Sequence, residues 1–207
     1  MSAAPIVASR RPRIDVWAVT ATRAALALVL GLVITFTSGH SAPFGLVAFG
    51  AFAIVAGAVL LAGALLAFAR PVRGSFIVQA IVTLAAGVAA LVLAGDDVVA
   101  LLGIVSAFGI LTGALELVTG LRARGVDGSA RDWILTGALT VLLGVAFLLV
   151  PPGYSQSLGG IERITGTLTA SVVLVGVLGA WGVIVGVLQA ISAVSLRGQA
   201  GEQGEPG

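Results

Sequence analysis

Long charge-free runs constrain this chain more than any other feature. Between Arg23 and Arg70 the only titratable side chain is His40. No charge occurs from Gly74 to Gly95, from Trp133 to Ile161, or from Ile164 to Leu196. A helix needs ~20 mainly apolar residues to cross a hydrocarbon core. The runs therefore predict six spans, at roughly 24–39, 44–69, 76–94, 98–121, 133–150 and 168–196, the last long enough to begin outside the hydrocarbon. Composition agrees: the 207 residues are 58% hydrophobic and 10% charged, where a soluble domain carries ~25% charged residues. With no cysteine, disulfides, thiolate metal sites and cysteine nucleophiles are excluded together. The first run reads as a true span rather than a cleaved signal peptide, because its basic lead-in is long and Pro43 follows the small residues of "HSAP".

Arginine placement predicts orientation. With six spans, one side holds Arg10, Arg11, Arg13, Arg23, Arg70, Arg73, Arg122, Arg124, Arg131 and Arg197, and the other only Arg163, beside Asp96, Asp97 and Glu162. The positive-inside rule then puts both termini in the cytoplasm, with Trp17 and Trp133 placed for an interfacial belt. Residues 1–23 read as an Arg-rich cytoplasmic arm, 24–197 as the membrane domain, and 198–207 ("RGQAGEQGEPG" without its Arg) as a tail expected to be disordered. The pI near 10.4 follows from these loop arginines, so a nucleic-acid partner is not expected.

The chain also repeats. "FAIVAGA" at Phe52, "FGILTGA" at Phe108 and "WGVIVGV" at Trp181 share one pattern, and the preceding spans contain "GLVI" at Gly31, "GVAA" at Gly87 and "GVAF" at Gly144. The intervals from these glycines to the next aromatic are 21, 21 and 37 residues; the third copy thus has 16 more, within "PPGYSQSLGGIERITGT". The unit is a helical hairpin present three times, at about 24–70, 75–124 and 132–197. All copies start on the same side, and parallel membrane repeats are related by an axis along the bilayer normal. The expected fold is all-α, a six-helix transmembrane bundle of three hairpins in pseudo-threefold arrangement.

Spacings of three and four residues put small side chains on one face of each even-numbered span. These are Gly50, Ala53 and Gly57; Ser106, Gly109, Gly113 and Gly120; and Gly179, Gly182 and Gly186. Lipid is as apolar as leucine, so helices in a bilayer are held by close backbone approach, which such stripes permit. The septamer is read as a packing seam, not a binding signature.

"GVAFLLVPPG" (Gly144 to Gly153), "FGILTGALELVTGLRAR" (Phe108 to Arg124) and "WGVIVGVLQAISAVSLR" (Trp181 to Arg197) resemble the HdeD-like membrane proteins, short six-span proteins built from a repeated hairpin (domain of unknown function 308). The resemblance covers about residues 24–197. It implies a bacterial inner-membrane location and, through the founding member, a link to acid resistance; it implies no catalytic residue. The insertion and the arginine-rich arm depart from the family pattern.

Glu116 is the only acid inside a span, and Gln189 holds its position one repeat later; Leu60 in the first copy argues against a symmetric three-carboxylate site. Intramembrane acids commonly serve as proton or ion ligands. Two readings stand: a Glu116–Gln189 polar contact able to take up a proton, or, with more weight, a glutamate that pins helix packing near the interface. His40 is alone in an outer loop, and a solvated loop residue is the heavier reading than a pH sensor. Asp96 and Asp97 offer too few ligands for a cation, so no metal site is expected. The insertion with Tyr154, Glu162 and Arg163 reads equally as a partner-binding lid or a spacer.

No Ser/His/Asp set, HExxH, Walker loop or dinucleotide fingerprint is present. The expectation is a non-enzymatic membrane protein without cofactor. It would act in the bilayer by packing, homo-oligomerisation or contact with another membrane protein, protective in acid or envelope stress. The alternative is a small proton- or ion-linked transporter or channel using Glu116 and Gln189.

Overall fold

The computed structural model describes residues 15–95, 97–157 and 167–202. They form six helices: α1 (Val16–Phe36), α2 (Ala42–Leu66), α3 (Arg70–Val92), α4 (Val98–Arg122), α5 (Ala130–Leu149) and α6 (Ala170–Glu202). All six contain a window long and apolar enough to cross a membrane. Helix starts carry local signals. Ser41 caps α2 by accepting from the Phe44 amide, Asp97 caps α4 by accepting from the Val99 amide at 2.8 Å, and Pro43 and Pro71 occupy first-turn positions where the missing N–H costs nothing.

Several boundaries differ from expectation. Helix α3 starts at Arg70, taking in arginines read as a loop, and α6 runs to Glu202, into the segment read as a tail. Helix α1 starts at Val16, so it includes Arg23 and part of the segment read as an arm; the charge is taken inward rather than ending the helix. Between α5 and α6, residues Ser155–Ser157 and Thr167–Thr169 pair as two antiparallel strands, β1 and β2, with Ser155 opposite Thr169. This short polar ribbon is an addition to an otherwise all-helical bundle. Its Ser and Thr side chains lie beyond the apolar spans, where backbone groups can pair without a helix, and the Ala170 amide donates to the Tyr154 carbonyl at the start of α6. Glu162, Arg163, Asp96 and Arg10, Arg11 and Arg13 lie outside the described residues.

The helices form a closed ring in which each touches its neighbours in sequence and α1 also meets α6. Contact is not uniform. It is most extensive for α4 with α5, α1 with α6 and α2 with α3, and less so for α1 with α2, α3 with α4 and α5 with α6. The extensive pairs are the ones lined with glycine. A Cβ on Gly109 would stand 2.7 Å from the Gly144 amide nitrogen, and one on Gly113 would stand 2.8 Å from the Gly137 carbonyl oxygen; one on Gly120 would meet the Ala130 carbonyl at 2.8 Å, and one on Gly144 the Ser106 carbonyl at 2.8 Å. Across α2 and α3, a Cβ on Gly50 would lie 3.1 Å from the Gly87 carbonyl, one on Gly57 3.1 Å from the Leu84 amide, and one on Gly87 3.1 Å from the Ala53 methyl. Across α1 and α6, a Cβ on Gly182 would lie 2.9 Å from the Ala27 carbonyl, one on Gly186 2.9 Å from the Leu28 amide, and one on Gly31 2.9 Å from the Gly179 carbonyl. Any side chain here would separate the helices and lose dispersion contact along the whole pair.

The bundle is apolar outside and partly polar inside. Val29, Phe36, Leu142 and Ile191 point outward, each more than half exposed, as a lipid-facing surface requires. Two apolar clusters fill the interior. One lies around Phe49, Phe108, Phe147 and Leu174, and the other, nearer the end that carries residues 15 and 202, around Phe68, Phe76 and Trp133. Trp133, expected in an interfacial belt, is buried there at 5.2 Å from the Phe76 ring centroid. Aromatic burial outweighs interfacial placement because α5 begins three residues earlier and turns the indole inward.

Candidate functional site

Between the two apolar clusters lies a polar layer. Glu116, 2% exposed on α4, accepts from Nη2 of Arg23 on α1 at 3.1 and 3.2 Å to its two oxygens. Nε2 of Gln79 on α3 donates to Oε2 of the same carboxylate at 2.9 Å. Three charge-assisted hydrogen bonds thus tie three helices together at one carboxylate.

The expected Glu116–Gln189 contact is not made. No hydrogen bond joins the two side chains among the described residues, and Gln189 Oε1 is buried without a donor. The reason is electrostatic: a guanidinium supplies a full counter-charge, which a neutral amide cannot, and in a low-dielectric interior the carboxylate is best satisfied by the charged donor. Arg23, read from sequence as a boundary charge, is instead a partner within the bundle, its side chain 15% exposed.

A cavity of about 40 Å³ runs along this layer and is lined by every helix. Eight residues before Gly31, Gly87 and Gly144 stand Arg23, Gln79 and Thr136; eight after Phe52, Phe108 and Trp181 stand Leu60, Glu116 and Gln189. All six line the cavity. The three aromatics themselves close one end, with Trp181 edge-on to Phe52 at 5.8 Å and to Phe108 at 6.1 Å. At the other end Phe76 and Trp133 lie three residues before Gln79 and Thr136, ~4.5 Å along their helices, and pack against Phe68 in tilted and edge-on contacts. Thr83, Thr112 and Thr140 line the wall and donate to the carbonyl four residues back. Thr140 also accepts from Trp181 Nε1 at 3.3 Å.

Taken one at a time along the chain, these threonines and Gln79 are isolated polar residues in apolar runs. The signal that collects them is register within the repeat: Thr83 and Thr140 stand four residues before Gly87 and Gly144, Gln79 eight before Gly87, and Thr112 four after Phe108. The other candidates have local roles. The His40 Nε2 lies 3.1 Å from the Ile34 carbonyl at the end of α1, and Asp97 is a helix cap. Among the described residues no three His, Asp or Glu side chains gather as a metal site needs.

Residues 78–149, from the polar layer of α3 through α4 to the end of α5, match a family model described as a short repeat of unknown function, DUF308. This stretch resembles the DUF308 repeat of the HdeD-like family. The DUF308 match contains Gln79, Glu116 and Thr136, whereas Arg23 and Gln189 lie to either side of it. No curated protein and no solved structure matches the chain.

Proposed function

We propose that this is a non-enzymatic, HdeD-like protein of the bacterial inner membrane, acting by packing, oligomerisation or partner contact, with a protective role in acid or envelope stress. Its three hairpins would be parallel repeats about a pseudo-threefold axis along the membrane normal. The alternation of close and looser helix pairs around the ring supports this, as does the docking of Gly31, Gly87 and Gly144 each onto a small-residue face of the helix before it in the ring. Both termini would be cytoplasmic. With Arg23 withdrawn into the bundle, nine of the other ten arginines still fall on that side.

The observation that carries the structural reading is the Arg23–Glu116–Gln79 network. A carboxylate that carries ions must exchange partners, and this one is held by three hydrogen bonds between aromatic layers. The second reading, a proton- or ion-linked transporter or channel using Glu116 and Gln189, is favoured by one feature: Gln189 lines the same cavity with a free acceptor. Flux decides between them. Purified protein in liposomes is expected to pass neither protons nor common ions, with Glu116→Ala no different from wild type. Flux that disappears in Glu116→Ala would establish the second reading instead.

A further inference from the structure

We propose that the axial cavity is a specific site for neutral hydrogen-bond donors, occupied in the membrane by water that bridges Gln79 and Gln189. The Nε2 of Gln79 is committed to Glu116 Oε2, which fixes the orientation of the amide and turns its Oε1 elsewhere. That oxygen is buried and receives no donor from the protein, and neither does Oε1 of Gln189. The two residues are 4% and 6% exposed, and both line the cavity. Two bare carbonyl oxygens, on side chains that both line one small chamber, call for a donor from outside the chain.

Size and charge narrow what that donor is. The chamber measures about 40 Å³, and a water needs ~10–15 Å³ measured the same way together with two to four polar partners. Roughly two to four waters therefore fit, with the amide oxygens, the Glu116 carboxylate and the Thr136 hydroxyl as partners. A cation drawn to the oxygens would meet the Arg23 guanidinium, which lines the same chamber and already neutralises Glu116. An anion would meet Glu116 and both bare acceptors. A neutral O–H or N–H donor meets neither penalty.

The site is tested in the full-length protein in lipid bilayers. Proton-detected solid-state NMR is expected to show water cross-peaks at the side-chain amides of both Gln79 and Gln189. Gln189→Leu, which places at this position the residue found at Leu60, removes one acceptor; the water cross-peak at Gln79 should fall at least twofold. Absence of water cross-peaks at both amides in wild type would overturn the proposal, a result that stands even if the variant does not assemble. An undiminished Gln79 signal in a folded Gln189→Leu would equally overturn the bridge. Titration with ammonium chloride separates the charge classes: saturable shifts at the two amides would replace the neutral donor with a cation, whereas unchanged shifts support water. None of these readouts depends on whether the bundle conducts.

Discussion

Gly113 on α4 and Gly137 on α5 face each other so closely that a Cβ on either would stand 2.8 Å from the carbonyl oxygen of the other. The relationship is reciprocal, so both helices lose a side chain at the same level. It explains why the α4–α5 pair has the most extensive contact in the ring.

Gly137→Ala should destabilise the bundle. Its methyl would press on the Leu117 backbone, which cannot rotate away as a side chain tip would, and overpacking of this kind costs about 1–3 kcal/mol. Gly103→Ala, on the same helix as Gly113 but with open space at its Cβ, should be neutral or stabilising by up to ~1 kcal/mol. Reversible unfolding in mixed micelles compares the two; equal effects would show that the seam is not where close approach matters.

Removing one member of the buried ion pair should cost more than removing both. Arg23→Met leaves Glu116 with an amide alone, and Glu116→Leu leaves an uncompensated guanidinium; breaking a buried pair costs about 3–5 kcal/mol, while apolar replacement of both partners is often near neutral. The double variant should therefore recover most of the loss. A double-mutant cycle with coupling below ~0.5 kcal/mol would place the two groups out of contact.

Trp181→Phe and Thr140→Val should each cost about 1 kcal/mol, because each removes the same indole–hydroxyl hydrogen bond. Their combination should cost little more than either alone. Fully additive losses would mean that the bond does not form in the membrane.

Asp97→Ala should lower stability by about 1 kcal/mol through loss of the α4 cap. Asp97→Asn, which keeps the accepting oxygen, should be close to wild type, and calcium should alter neither in thermal unfolding. A calcium-dependent rise in the wild-type melting temperature would restore the cation reading of this turn.

Much of the architecture was legible along the chain. Charge-free runs locate six helices because lipid penalises a charge over a length set by the bilayer, not by the fold. Small residues three and four apart mark a face because helical periodicity is a local property. The β-ribbon escaped notice because three-residue strands leave too little alternation to read, and the α1 boundary was misplaced because Arg23 looks, in sequence, like any other flanking arginine.

Which faces meet was another matter. Periodicity shows that Gly109 and Gly113 share a stripe, but only ring closure turns that stripe toward α5 and brings Gly182 on α6 against Ala27 on α1. The same closure brings Arg23 to Glu116 across 93 residues of chain and sets Gln79 and Gln189 on one chamber. Local chemistry decides what each helix can present; the partner it presents it to depends on distances that exist only once all six helices have packed.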